Sequence, residues 1–596
     1  LDLSKYTNFV SCKAMRLIHF TGLENYLDCS KFQNIILSPN INNEYTYHLK
    51  KKIYYLSNNW QKNKTKIEKN VLNLREKLLL QLTRELNSIN KVNFTKKDWE
   101  ILIEPWLHMY LASNYFRWLI VNDLISIYKK FSYLEIKVKN KLPVFDTLQF
   151  YEFNHNDDVY NHLMFQSILD FKNKKKLFQK KIHIKKIFYL NNNFIYKIYT
   201  KIKTNFFFNI YENIILKFIN IDTLINIRTK KINFLKLCLN LNILGFKGLT
   251  IFNRKKLINI SNKNSYEFTK RKDIKLTSNN KNEFENYIFH KIKEDIPRVF
   301  IENFKDIKKL HEKKLVKIKT IISDTHHRFN PIFKSWIAHR KNLNKNLKII
   351  TADHGGIYGG KSIFNYNNAI SSVVFKHQKK VLKNQVSLPC LFLNKCKKVS
   401  NNKILIICKD IPKYPRHFFN GPMSEEINFE YFQVKGFIKN LEKHMNEKIF
   451  VRPYMVHNGW KLYKKYQEIV GKNKMIFENS HYQKLKDEAI IRIATYPQTA
   501  FLESLINGPT FLLLNTNHWY ETKRNKKFMD ILFKNKIAFK NGKDLALHLN
   551  KIENNIQGWW HQKKIQRSVN LFLKNTNIYD NDPTSKWAET LKKFIS

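Results

Sequence analysis

Residues 349–361 read Ile349-Ile350-Thr351-Ala352-Asp353-His354-Gly355-Gly356-Ile357-Tyr358-Gly359-Gly360-Lys361, and the fold is read outward from them. Four of the chain's 14 glycines fall within six positions here. Such density directly after an apolar run means a backbone that turns tightly or lets another group come close. Upstream, Val316 to Ile322 alternates apolar and polar residues and predicts a strand. Asn330-Pro331 is a helix start, with Asn as the cap and Pro at the first helical position. Phe333, Trp336 and Ile337 form the apolar stripe of that helix, and Lys348 to Thr351 is the next strand. Strand, helix, strand over this length is a βαβ unit, so both strand ends open on one edge. One loop there carries Asp324, His326, His327 and Arg328; the other carries Asp353, His354, the glycines, Tyr358 and Lys361. Ligands of open parallel sheets bind at that edge. The spacing matches neither a dinucleotide fingerprint nor a P-loop, and a plain tight turn is the competing reading.

With 596 residues the chain is expected to form two or three domains. Its formal charge of +58 invites a nucleic-acid reading. Lysine, asparagine and isoleucine are raised everywhere, however, including stretches that must be ordinary helix or strand, so the excess reads as compositional. It still favours anionic partners, among them nucleotides and an acidic membrane surface. The six cysteines show neither a C-x-x-C nor a zinc spacing and read as free thiols. The N-terminal Leu-Asp-Leu-Ser-Lys-Tyr lacks a signal-peptide apolar region, and no charge-free run of 18 apolar residues occurs. A cytoplasmic protein is expected, with peripheral contact at the inner face of the membrane as a further expectation.

Along the chain, Asn34 to Leu37 is strand-like, residues 61–95 form a charged helical stretch, and Trp99 to Trp118 has the apolar spacing of a buried helix. Asp157, Asp158 and Asn161 open another helix, with acidic residues suited to a first turn. Residues 172–290 are rich in Lys, Asn, Ile and Phe without a clean period; they read as an insertion, either helices or a basic aromatic surface. After about residue 400 a second αβ series begins, with strands predicted at Lys403–Cys408, Ile449–Arg452, Met475–Phe477, Ala489–Ala494 and Thr510–Leu514. Its loops carry Arg416 and the segment Thr495 to Ser504. There a helix N-terminus beside Thr499 makes an anion site, with Glu503 one turn further in and Arg416 as a second phosphate contact. Two such sheets facing a cleft are the plan of GT-B glycosyltransferases. The domains are accordingly expected at 1–395 (with a helical region over 61–170 and the insertion), 396–565, and C-terminal helices over 566–596.

An ordered set of motifs spans about residues 95–590: Glu104-Pro-Trp-Leu-His-Met-Tyr110, Asn156-Asp-Asp-Val-Tyr-Asn161, Phe333-Lys-Ser-Trp-Ile-Ala338, Asp353-His-Gly-Gly-Ile-Tyr-Gly359, Lys413-Tyr-Pro-Arg416, Val451-Arg-Pro-Tyr454 with Gly459-Trp460, Tyr496-Pro-Gln-Thr-Ala-Phe-Leu-Glu-Ser-Leu505, His518-Trp-Tyr-Glu521 and Gly558-Trp-Trp560. In these the chain resembles bacterial transferases of O-antigen and surface-polysaccharide synthesis, distant relatives of teichoic-acid glycerophosphate transferases and capsule glycosyltransferases. The resemblance implies a metal-independent, GT-B-like glycosyltransferase without a cofactor. It would use a nucleotide-activated sugar donor and a glycan or lipid-linked acceptor, with no specific nucleic acid. It also implies His354 as the catalytic or phosphate-facing side chain, and Arg416, Thr499 and Glu503 as donor-side residues. Within the loops themselves, Lys361, Gly355 and Gly356 would help at the phosphates, and either His354 or Asp324 would be the base, with Asp353 and His326 available to hold it. The chain departs from the family pattern at Thr495, usually Asp, and at Pro497-Gln498, usually a small polar pair. The competing readings are a basic nucleic-acid-binding protein and a catalytically inactive scaffold of the same fold.

Overall fold

The computed structural model describes residues 18–22, 34–41, 52–55, 64–128, 131–133, 135–136, 142–172, 222–241, 252–262, 266–278, 282–313, 317–355, 366–380, 382–391, 393, 401–418, 421–456, 458–516, 518–519 and 523–595. Three sheets are built from these, and every strand pair in them is parallel. Parallel strands require crossovers, so each sheet has one edge where all strand ends, and the loops that follow them, collect.

The first sheet has the order β3-β2-β1-β4, with β1 at Ile18–Phe20, β2 at Asn34–Leu37, β3 at Lys52–Tyr55 and β4 at Ser132–Tyr133. Only β2 was legible as a strand in the sequence; that these pieces make a sheet of their own is a feature the two-sheet expectation lacks. Between β3 and β4 run α1, Lys64–Asn90, and α2, Lys96–Ile127. Thr95 caps α2 in a capping box with Asp98. The helix is apolar nearly all round, and it is buried along most of its length, Trp99, Trp106 and Leu111 completely. Pro105 lacks an N–H and leaves the Ile101 carbonyl without its helical donor. The Tyr366 hydroxyl donates to that oxygen at 2.8 Å, and the Lys334 ammonium donates to the next carbonyl, Leu102, also at 2.8 Å. The proline therefore docks α2 onto the second sheet. After β4 come α3, Thr147–Asn156, and α4, Asp158–Phe171, the latter capped by Asp157, which accepts from the Tyr160 N–H at 2.7 Å.

The second sheet has the order β5-β6-β7-β8-β9: Thr223–Asn226, Thr320–Ser323, Lys348–Ala352, Val373–Lys376 and Gln385–Ser387. The βαβ unit is present, with α6, Pro331–Leu343, between β6 and β7 and the Asn330 side chain accepting from the N–H groups of Ile332 and Phe333. Strand β5 and helix α5, Lys231–Asn240, come from the stretch read as an insertion, so this part of it is integral to the domain. Residues 173–221 of that stretch lie outside the described residues.

The third sheet has the order β11-β10-β12-β13-β14: β10 is Asn401–Ile407, β11 Ile449–Arg452, β12 Ala489–Ala494, β13 Thr510–Leu513 and β14 Ala538–Phe539. The expected strand at Met475–Phe477 is only a single bridge from Met475 to Val451. Helices α7, Ile427–Asn440, α8, Asn479–Glu488, and α9, Thr499–Asn507, belong to this domain. The last helix, α10, Pro583–Ile595, returns to the second sheet, where Trp587, Ala588 and Leu591 share a core with Ile225, Ile350 and Phe375. The chain end thus links both α/β domains.

Trp587 is 2 % exposed, packs edge-on against Phe375 at 5.2 Å between ring centres, and donates to the Pro389 carbonyl at 2.8 Å. Trp587→Ala is expected to cost about 3–5 kcal/mol of local stability. Amide exchange at β7 and β8 should quicken, although the replaced residue lies more than 200 positions further along the chain.

Candidate functional site

The carboxyl edge of the second sheet presents four chain segments. After β5, the Arg228 N–H donates to Asp324 Oδ2 at 2.6 Å, and the Thr325 hydroxyl donates to Asp324 Oδ1 at 2.8 Å. Asp324 is thus a buried acceptor that ties the ends of β5 and β6 together. After β6, the chain makes a single helical turn, His326–Phe329. His327 is fully buried there between the Ser323 hydroxyl (3.1 Å) and the Asn367 carbonyl oxygen (3.0 Å), and its ring stacks on Tyr366. Burial, then Arg328, pushes His327 down to about 3, so it stays neutral and structural. Burial and Arg254 lower His326 to about 4. After β7 come Asp353, His354 and Gly355. Asp353 accepts from Lys376 at the end of β8, at 2.9 Å.

His354 is half-buried. Burial first and the Arg328 charge next lower its pKa below the ordinary histidine range, against the pull of Asp324 and Asp353. Each of the two carboxylates has another partner, and both act on His354 through charge. Arg328 gives one N–H to Asn367 at 3.0 Å, while its buried Nε meets no acceptor.

The third sheet offers the opposing edge. The Lys409 N–H, just after β10, donates to the Thr495 hydroxyl at 3.0 Å. Its ammonium lies 4.3 Å from the Trp519 ring centre and 5.9 Å from that of Tyr496. Burial lowers Lys409 to about 8, with Glu430 opposing, and burial raises Glu430 itself to about 8, with the Trp519 indole N–H 3.3 Å from it. Thr499 is the first residue of α9, whose N-terminus has no side-chain cap from Gln498. A β-carbon on Gly355 would lie 2.8 Å from Thr499 Oγ1. The glycine turn of one sheet and the helix N-terminus of the other therefore meet. Glu503, one turn into α9, pairs with the buried Lys486 of α8 at 2.7 Å.

Arg416 lies at the junction with the N-terminal helices. It is 5 % exposed, and its guanidinium sits 3.7 Å over the Tyr151 ring while donating to the Tyr151 hydroxyl at 2.7 Å. It also donates to His155 Nδ1 and, at 3.2 Å, to His417. His155 continues the chain to Asn458, whose N–H donates to Asp410 at 3.3 Å. Burial and Arg416 push His155 down to about 3; burial lifts Asp410 to about 7. His417 is driven well below its usual range by burial and by the positive charges of Arg416 and Arg328. Just before Arg416 in the chain, Lys413 at 2.5 Å and the Tyr414 hydroxyl at 2.7 Å donate to Asp158, and Tyr414 also reaches the Thr21 carbonyl at 3.1 Å. Gly22, at φ +123°, leaves room for that hydroxyl, which any β-carbon would strike.

Of the residues singled out in the sequence, His354, Asp324, Asp353 and Gly355 share one edge, Thr499 faces Gly355, Glu503 lies further along α9, and Arg416 lies in the interdomain joint. Gly356 and Lys361 lie outside the described residues, as do Tyr358 and His457. Sequence reasoning passed over Lys409, although it is the first charged residue after a buried strand, and it did not single out Arg328 within its loop. Among the described residues no group of three or more His, Cys, Asp or Glu is placed to hold a metal ion.

Because the Thr499 hydroxyl occupies the space a Gly355 side chain would take, the substitutions Gly355→Ala and Thr499→Ala should couple by about 0.5–3 kcal/mol. Denaturation of the two single variants and the double variant measures this, and strict additivity would mean the edges do not touch in solution.

The sequence profile of a transferase family, LIC12162, matches residues 16–591. No curated protein matches the chain in sequence. Solved structures with similar folds include a glycosyltransferase from Rickettsia africae ESF-5, at 14 % identity over 63 % of this chain and 99 % of that one, with a TM-score of 0.34. Others are HepE from Anabaena in complex with UDP and glucose (9 %, 62 % and 99 %, TM-score 0.34) and the wall teichoic acid polymerase TagF (11 %, 51 % and 76 %, TM-score 0.29). Likeness at this level carries no argument about chemistry, whereas the profile covers nearly the whole chain and agrees with the transferase resemblance read from the motifs. The chain belongs to the LIC12162 family of transferases.

Proposed function

We propose that the protein moves a sugar, or a related group, from a nucleotide-activated donor to a glycan or lipid-linked acceptor of the surface-polysaccharide or O-antigen type. The observation that carries this reading is the approach of Gly355 to Thr499, which sets the loop edges of two parallel sheets against a common gap. Cations lie around that gap with no carboxylate bonded to them: Arg328 with a buried Nε lacking an acceptor, Lys409 on two aromatic faces, and Arg416 held by a phenol and two imidazoles. A donor diphosphate supplies negative charge to these cations, and the positive end of the α9 dipole adds to its binding. In this reading the acceptor hydroxyl attacks the anomeric carbon, and the bond from that carbon to the diphosphate oxygen breaks. The nucleoside diphosphate leaves with the electron pair, and His354 takes the acceptor's proton. A half-exposed imidazole kept neutral by burial and by Arg328 suits that role at pH 7. Asp324, already holding two donors, positions the edge instead.

Incubation with a panel of nucleotide sugars, following nucleotide release and thermal stabilisation, tests the reading. Silence across the panel together with tight oligonucleotide binding would overturn it. His354→Ala should lower turnover by about 10²–10⁴ with the fold retained. Since the base works unprotonated and its pKa is depressed, kcat/KM should be flat at neutral pH and fall only below about pH 6.5, the ordinary histidine value. Arg416→Ala and Lys409→Met should each weaken nucleoside diphosphate binding by about 1.5–3 kcal/mol, read by calorimetry against the bare nucleoside.

A further inference from the structure

Helix α5 is apolar on two sides. Phe234, Leu237, Cys238 and Leu241 are buried in the core that includes Trp587 of α10. On the other side Ile232, Leu235 and Leu239 recur at three- and four-residue spacing and are 57 %, 58 % and 73 % exposed. Lys236 stands exposed in the same stripe, and Lys230 is exposed just before the helix begins. We propose that α5 docks this protein on an acidic lipid surface, with Ile232, Leu235 and Leu239 entering the headgroup boundary and Lys230 and Lys236 against anionic headgroups. An aliphatic stripe beside lysines on a surface helix is the chemistry that binds such bilayers. A second copy fits less well. Three side chains on one short helix fall far below the roughly 800 Å² per partner of a stable interface, and a formal charge of +58 opposes self-association and favours an anionic surface.

If the protein is the transferase proposed above, docking also brings the acceptor edge close to a lipid-linked acceptor, because α5 starts a few residues after β5, whose following loop binds Asp324 and whose Arg228 acts electrostatically on His354. Flotation with phosphatidylglycerol-containing vesicles and with pure phosphatidylcholine vesicles tests the docking. The full chain should float with the anionic vesicles, less so at high salt. The double variant L235Q/L239Q should bind at least about tenfold more weakly, and Lys236→Glu about fivefold more weakly. Both changes are on exposed positions, so an unchanged thermal melt confirms the fold. Equal binding by the double variant, binding indifferent to lipid charge, or self-association lost in the variant without any vesicle binding would each overturn the proposal. Nucleotide release without vesicles should be the same in both proteins. Its absence in the parent chain, with vesicle binding intact, would count against the transferase reading alone.

Discussion

The Asp158 carboxylate at the first turn of α4 holds the Lys413 ammonium and the Tyr414 hydroxyl together, and the seat of the third sheet on the N-terminal region rests on that joint. The segment from Lys409 to His417 leaves β10 of the third sheet, touches the first sheet's edge at Thr21, and ends with Arg416 against α3. Gly22 is required because only a residue without a side chain lets the Tyr414 hydroxyl reach the Thr21 carbonyl at that backbone angle. The ion pair is largely withdrawn from water, and Asp158 Oδ1 accepts from both the Lys413 ammonium and the Tyr414 hydroxyl, which offsets part of the cost of removing the charges from solvent. This joint fixes the N-terminal helices against the third sheet, α2 in turn meets the second sheet through Tyr366 and Lys334, and the edges of the second and third sheets meet where Gly355 approaches Thr499.

Charge in the gap is unbalanced in one direction. The carboxylates near it are engaged: Asp353 by Lys376, Asp324 by a backbone N–H and a hydroxyl, Glu503 by Lys486, and Glu430, beside Lys409, by the Trp519 indole N–H, with burial raising it to about 8. The nearby histidines are held neutral by burial and by the arginines, so they add no compensating or competing charge at pH 7. Arg416 is kept in place by a π face and neutral acceptors, which offset only part of its lost hydration. In the proposed reading it is this constellation that holds the donor's diphosphate, since low-dielectric walls weaken the field of buried cations less than water does. The overall excess of basic residues is a separate property, spread over the chain and not specific to this gap.

Much of the architecture was legible because it is local. Alternation and apolar runs marked β6, β7, β10, β11, β12 and β13, Asn330-Pro331 marked the start of α6, and Asp157-Asp158 marked that of α4. The glycine-dense turn after β7 pointed to close approach, and Gly355 does meet another domain there. The four-stranded first sheet escaped notice because its strands are two to four residues long and the pairings between them are set by contacts far along the chain. Strand β5 was hidden by a composition in which lysine, asparagine and isoleucine blur any period.

By itself, then, the amino-acid sequence determined β6, β7 and most strands of the third sheet, the caps that open α4 and α6, and which loops follow those strands at their carboxyl edges. All of these depend on interactions a few residues long. The tertiary structure alone decided what each charged side chain meets. Arg416 finds its partners on α3, more than 250 residues upstream, Lys413 meets Asp158 across a similar distance, and Lys486 rather than solvent takes up Glu503. Those pairings follow from how three parallel sheets pack, and packing sums many distant contacts that no local period records.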